Sequence, residues 1–406
     1  VRLSSRQQIE KPPMHHFPER KGPPPRPAIT AALGVDGRSR AEALIGLLPG
    51  HQPTPLHALP ALAGTLGVAA VYVKDEGRRF GLKSFKALGG AYAVMTLVLE
   101  EAARRLGRAV APSELASPQV RAVAETMTFA CATDGNHGRS VAWGAQLAGA
   151  ACEIFIHGGV SQGRADAIAA FGARIIRVDG SYDDSIVLSA KMAAKNGWIV
   201  VSDTSWEGYE TIPLKVMQGY TVMIGEALDA LAEAPTHIFV QAGVGGMAAA
   251  VASYAVQRLG SAAPKIVAVE PERAACVFES ARAGRAVTIP HGEPTIMAML
   301  ECATPSPLGW EVLHHLADGF VTLGEDEAAA AMRRLAHPTK GDPAIVAGES
   351  GGTGFAGLLS CLGDSTTRAR LGLGAGSRVL VFNSEGATDP EIYRAIVGRT
   401  PEEVAA

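Results

Sequence analysis

Aromatic residues are scarce in this chain, at 5% of 406 residues, and neither sign of charge dominates. Lys and Arg number 37 against 40 Asp and Glu, a net of −3. A balance so near neutral gives no electrostatic footprint for nucleic acid or an anionic membrane. The five cysteines, at 131, 152, 276, 302 and 361, lack any CxxC or Cys/His spacing of a zinc site, so no metal is expected. Their odd, scattered count fits a reducing cytoplasm, where each is first of all a small buried hydrophobe. Sequence separation leaves a pairing of Cys276 with Cys302 open. Long apolar runs are missing too. The longest uncharged stretch, Ile238 to Gln257, has the length of a membrane span. Gln241, Ser253 and glycines 243, 245 and 246 interrupt it, so it reads as strand, Gly loop and helix. The first residues, VRLSSRQQIE, have no apolar stretch of a secretory signal, and a cytoplasmic location is expected.

What is present is a large apolar fraction, 47%, with 46 Gly and many Ala. That composition suits close helix–sheet packing, and the length suits two lobes at about 150 residues each. Seven prolines between residues 11 and 27 exclude a helix interior or a central strand there, and predict an extended arm over the surface. Beyond it, strand-like runs at 68–76, 128–133, 152–157, 173–180, 198–203, 236–243, 265–270 and 378–386 alternate with Ala-rich helical segments. Short continuous apolar strands separated by helices predict a parallel sheet covered on both faces. A smaller lobe is expected over 94–226. Residues 1–93 with 227–406 would form the larger one, with 1–50 partly the arm.

Four motifs carry chemistry. SFKALGGAY (84–92) sets a lysine among apolar neighbours. Burial disfavours an ammonium, so Lys86 is expected to lose its proton easily and attack a carbonyl, with Lys83 as the internal competitor. ATDGNHGRSVAWG (132–144) opens a helix after a strand; its first turn is an anion site, and Asn136 can hydrogen-bond a ring substituent. QAGVGGMAAAV (241–251) would aim several N–H groups at one phosphate. As a dinucleotide fingerprint it lacks its third Gly, although Glu270 stands where an acidic partner would. VLVFNSEGATD (379–389) puts Ser384 at a strand's carboxyl end, where parallel sheets bind ligands. Asp203, Trp206 and Tyr209 of DTSWEGYETIP suit a loop lining a polar cavity, and GESGGTGFAG (348–357) is a further Gly-rich helix start with its role open.

Together, in order and spacing from about residue 50 to 395, these strings resemble the fold-type II pyridoxal-phosphate enzymes, the group of tryptophan synthase β chains and threonine/serine dehydratases. Within it, FGLKSFKALGGAYA, TDGNHGRSVAW, DTSWEGY, PTHIFVQAGVGGM and GESGGTG are similar to the ammonia-lyases of 2,3-diaminopropionate. The resemblance implies an α/β fold of two open, mostly parallel twisted sheets flanked by helices, with pyridoxal 5'-phosphate in the cleft between lobes. It implies Lys86 as the lysine that joins the cofactor, with Phe85 beside it. Gly243, Val244, Gly245, Gly246 and Met247 would hold the phosphate, Asn136 the phenolic oxygen and Ser384 the ring nitrogen. Asp134 falls where dehydratases of the group carry Ser, and Asp203 matches a second acidic position of the ammonia-lyases. Thr133, Gly135, His137 and Tyr209 complete the expected substrate contacts. The partner implied is a small amino acid, and a homodimer is the family's habit. Three alternatives stand beside this reading: a threonine or serine dehydratase, a nicotinamide oxidoreductase resting on GVGGMA and Glu270, and a metabolite-binding protein without turnover.

Overall fold

The apolar runs assemble into two sheets. The computed structural model describes residues 14–133 and 135–406. Its strands are β1 (His15–His16), β2 (Leu56–Ala58), β3 (Ala70–Asp75), β4 (Thr128–Ala132), β5 (Ala151–His157), β6 (Arg174–Val178), β7 (Ile199–Val200), β8 (His237–Gln241), β9 (Lys265–Pro271), β10 (Gly319–Leu323) and β11 (Arg378–Asn383). Among the described residues the larger sheet runs β1-β10-β9-β8-β11-β3-β2 and the smaller β6-β5-β4-β7. Only the edges β1 and β2 pair antiparallel in the larger sheet, and the smaller is parallel throughout.

Side chains alternate across a strand, so one strand feeds two cores. Ile238 and Val240 enter one core with Ile266, Ala268, Leu380 and Phe382, whereas Phe239 enters the other with Val267, Val269, Val379 and Val381. The first of these cores also takes Phe129, Cys131, Ile154 and Ile156 from the smaller sheet. It is filled by the helices Lys86–Leu106, Asn136–Ala148 and Thr211–Ala230, which pack on one another between the sheets. The expected lobe limits at 93 and 226 fall inside two of these helices, while the whole smaller sheet lies within 94–226.

Three strands were not foreseen. β10 is a five-residue run, GFVTL, between Asp318 and Gly324, short enough to go unmarked among the helical segments around it. β1 belongs to the Pro-rich arm, where His15 and His16 are added to the edge of β10, a position that proline neighbours tolerate. β2 is short and lies on the opposite edge. β7 is shorter than the expected 198–203. The Tyr209 hydroxyl donates to Val200 O (2.8 Å) and accepts from Ser202 N (3.0 Å), so it takes the backbone groups a longer ladder would use. No helix among the described residues is long and apolar enough to cross a membrane.

A buried charge cluster fixes one end of the larger sheet. Arg79 donates to both carboxylate oxygens of Glu76 (2.8 Å each) and to Glu226 (2.9 and 2.6 Å), while Lys74 Nζ reaches Glu226 Oε2 (2.6 Å) and Thr54 O (2.8 Å). All four side chains are out of solvent, and the two positive charges balance the two negative ones.

Candidate active site

The turn that presents Lys86 is strained and held at both ends. Phe80 (φ 50°) and Lys83 (φ 56°) adopt the left-handed region, at about 1–2 kcal/mol each for residues with a Cβ. The Arg79 cluster anchors the entrance to the turn. Its exit is stitched to the end of β11: Gly386 N–H donates to Lys83 O (2.9 Å) and Phe85 N–H to Ser384 O (3.0 Å). Lys86 and Ser384, far apart in sequence, therefore share one site. Lys83 Nζ reaches Ala387 O (3.3 Å), which takes it out of competition with Lys86.

The two glycines of the lysine motif have separate steric duties. A Cβ at Gly90 would lie 2.5 Å from Ser140 Oγ, and one at Gly89 would lie 2.3 Å from the Tyr220 ring. Ser140 in turn donates to Lys86 O (2.6 Å) and accepts from Ala91 N (3.0 Å), binding the first turn of the lysine helix to the Asn136–Ala148 helix.

Lys86 Nζ forms a short ion pair with the Asp203 carboxylate and lies 5.2 Å from the centre of the Phe85 ring. The expectation that burial would strip this amine of its proton is overturned. Burial is the largest single effect and presses the lysine pKa down, but the Asp203 charge and hydrogen bond, with Tyr220 and Cys302 adding to them, together leave the pKa raised. The same pair holds the Asp203 carboxyl well below its usual range against the opposing effect of burial. His137 donates through Nε2 to Val201 O (2.9 Å), and burial lowers its pKa, so the ring is neutral. Its Nδ1, with no hydrogen-bond partner, then stands 3.9 Å from Asp203 Oδ2 as a lone pair. Trp206 and Tyr209 stack at 4.0 Å, and the Tyr209 hydroxyl is engaged by the backbone as described, so this tyrosine shapes the Asp203 loop.

The turn after β4 is organised by Thr133, whose Oγ1 accepts from Gly135 N and Gly138 N (3.1 Å each). Asp134 lies outside the described residues. Asn136 donates to Glu385 Oε2 (2.5 Å), a carboxyl whose pKa burial pushes up to about 7, with Glu349 adding to the rise. Neither Glu349 nor Glu385 is among the expected site residues, although both lie in the Gly-bearing strings GESGGTG and SEG.

After β8 the chain turns at Gly245 (φ 92°) into the helix Gly246–Leu259, whose first-turn N–H groups have no carbonyl partner within the helix. Gly309 packs on the Gly245 backbone at 3.0 Å from its own ideal Cβ, and Ser306 N–H holds Val244 O (2.9 Å). The Ser306 hydroxyl also meets Ser205 Oγ (2.7 Å), tying the Asp203 loop to the glycine loop, and Met247 is buried behind it. Space is tight: a Cβ on Gly243 would approach Cys302 Sγ at 3.1 Å. Glu270, the acidic residue of the nicotinamide reading, instead accepts from Val277 N (2.8 Å) and Phe278 N (2.6 Å) at the start of the helix Cys276–Ala283. Both of its carboxylate oxygens are thus committed to the start of a helix. Among the described residues no disulfide joins the cysteines.

The family model described as pyridoxal-phosphate dependent enzyme matches residues 47–385. The chain belongs to the pyridoxal-phosphate dependent enzymes. Among curated members of this family, it is 41% identical over 88% of its length to a diaminopropionate ammonia-lyase of Escherichia coli strain K12, covering 90% of that protein. The enzyme of the same name from Salmonella typhimurium is 37% identical over 86% of the chain and 89% of the relative. A crystal structure of holo diaminopropionate ammonia lyase from Escherichia coli superposes with a TM-score of 0.87 at 37% identity, covering 95% of this chain and 96% of that one.

The residues present fit the family's cofactor, pyridoxal 5'-phosphate. Lys86 offers the amine and the glycine loop the N–H donors for a phosphate. Ser384 makes a sharper test. Its Oγ already accepts from Gln241 Nε2 (2.7 Å), so its own hydrogen remains for an acceptor. An unprotonated ring nitrogen is such an acceptor; a protonated one would not be.

Proposed function

We propose that this chain is a pyridoxal-phosphate-dependent lyase that eliminates ammonia from 2,3-diaminopropionate, which with one water gives pyruvate and two ammonia. One observation carries the reading: the cleft already stabilises an ammonium, that of Lys86, on Asp203. Diaminopropionate is serine with an ammonium in place of the hydroxyl. Once the lysine nitrogen is committed to the cofactor, Asp203 has a place for a second cation, and the substrate's side-chain ammonium fills it by Coulomb attraction. A hydroxyl would leave that carboxylate without its counter-charge. The likeness to lyases of this name over 88% of the chain supports the same substrate.

The bound cofactor supplies an electron sink that acidifies the Cα–H of the amino acid. Lys86 Nζ takes the Cα proton of the L enantiomer. Asp134, placed by sequence between the buried Thr133 and Gly135, takes that of the D enantiomer. Asp203 holds the departing amine, which carries its proton already and needs no strong acid. The Ser384 hydroxyl, which accepts from Gln241, would donate to the ring nitrogen of the bound cofactor without delivering a proton. The odd, scattered cysteine count suits a cytoplasmic setting, and a homodimer is the habit of the family.

Ammonia release from both diaminopropionate enantiomers, L-serine and L-threonine tests the reading. Diaminopropionate is expected to lead in kcat/KM by about 100-fold, equivalent to roughly 3 kcal/mol, the scale of a partly buried charge left without its partner. A preference for serine or threonine makes the chain a dehydratase instead. Asp134→Asn is expected to cut D-substrate turnover by about 10²–10⁴-fold, the worth of a general base, with the L substrate little changed. Equal losses on both enantiomers would remove the two-base assignment and leave the reaction class intact.

A further inference from the structure

Tyr220 lies on the helix Thr211–Ala230 and is 2% exposed, yet its hydroxyl makes no hydrogen bond of good geometry and has only a loose one toward the Lys86 amine. Burying a polar group without a good partner is unfavourable, so such a group points to a second state in which a better bond forms. The ring stacks obliquely on Phe85, centres 4.7 Å apart, and lies where a Cβ on Gly89 would be, 2.7 Å from its Cζ. Gly89 is one turn along the same helix face as Lys86. Side chains on a helix lean toward its start, so the hydroxyl end of Tyr220 stands beside the lysine side chain. Burial keeps this phenol protonated, the Lys86 and Asp203 charges both bear on it, and its contact with Lys86 is already within loose hydrogen-bonding reach.

We infer that Tyr220 is a positioning residue for Lys86: its hydroxyl takes over as hydrogen-bond partner of the lysine nitrogen when the substrate's ammonium occupies Asp203. The inference rests on the proposed function. Asp203 accepts the lysine ammonium in the structure and would accept the substrate's ammonium in turnover. It cannot serve both equally. The lysine nitrogen, released, needs a partner that aims its lone pair without holding its proton. A carboxylate would raise the amine's pKa; a neutral phenol oxygen accepts one N–H and leaves the nitrogen basic. The handover thus keeps the released Lys86 a base instead of letting it return to Asp203 as an ion-paired ammonium. It also gives Gly89 a purpose, since any larger residue there would displace the ring.

The test is Tyr220→Phe in the holoenzyme, which keeps the ring and its packing. On L-diaminopropionate kcat is expected to fall about 10–100-fold with KM within about twofold, a share of the 10²–10⁴ worth of a general base. The isotope effect of Cα-deuterated L substrate on kcat should rise, while D-substrate turnover, served by another base, stays within about twofold. Equal losses on both enantiomers, or unchanged L turnover, overturn the inference. A second readout needs no turnover. In a crystal structure of the cofactor-free Asp203→Asn variant, Tyr220 Oη is expected within about 3.2 Å of Lys86 Nζ. A hydroxyl still without a well-formed bond there overturns the inference. If neither enantiomer of diaminopropionate is consumed by the unmodified enzyme, the proposed function fails and the crystallographic result still decides whether Tyr220 partners Lys86.

Discussion

Lys86→Ala is expected to abolish ammonia release, a loss of about 10⁴-fold or more, and to remove the yellow colour of the purified protein. Two contributions are lost together: the nitrogen that joins the cofactor and the base for the L enantiomer. The geometry makes the result specific to this lysine. Lys86 begins its helix facing Asp203, whereas Lys83, three residues earlier, donates to Ala387 O. Lys83→Ala should therefore stay yellow. Borohydride reduction followed by digestion should fix the cofactor to the peptide containing 84–92 in the unmodified protein and in Lys83→Ala, but not in Lys86→Ala. An unchanged visible spectrum for Lys86→Ala would reject the assignment.

Asp203→Asn should act in two directions at once. In the native site the carboxylate keeps the Lys86 pKa raised in spite of burial. Without that charge the burial effect, the largest single one, is opposed only by the weaker influences of Tyr220 and Cys302, so the lysine pKa falls. Cofactor uptake by the apoprotein requires a neutral amine. Its rate, followed by absorbance against pH, should therefore reach its plateau at lower pH in the variant than in the native protein. Turnover moves the other way. The substrate's ammonium loses its counter-charge, and kcat/KM for diaminopropionate should drop by about 10²–10³-fold, equivalent to about 3–4 kcal/mol for removing one partner of a partly buried pair. Any residual activity on serine should fall less. A variant that captures cofactor with an unshifted pH profile would separate Asp203 from the lysine.

Apart from β10, the strands of the parallel sheets are legible because each is a short apolar run between helices, as HIFVQ and KIVAVE are. The lysine and glycine-loop motifs were legible because local steric needs, such as those at Gly89, Gly90 and Gly245, leave their mark on adjacent residues. Contacts made by distant segments left none. Asp203 is 117 positions from Lys86, and nothing in either string says that they meet, so the direction of the lysine's pKa was read backwards. Glu385 and Asn136 are 249 positions apart. Tyr220 sits in an apolar helix where an aromatic residue looks like ordinary core, and only the poorly partnered hydroxyl separates it from its neighbours. Glu270 showed the opposite failure, in which a plausible spacing from the Gly loop concealed a helix cap.

The neutral quartet of Lys74, Glu76, Arg79 and Glu226 has an evolutionary corollary. Deleting any single member strands a net charge out of reach of water, at about 3–5 kcal/mol, a large part of a domain's whole margin. Deleting an acid and a base together leaves the remainder balanced. This corner of the molecule is thus inherited by pairs: lineages that drop Arg79 should have dropped a glutamate with it, and drift one residue at a time is closed to them.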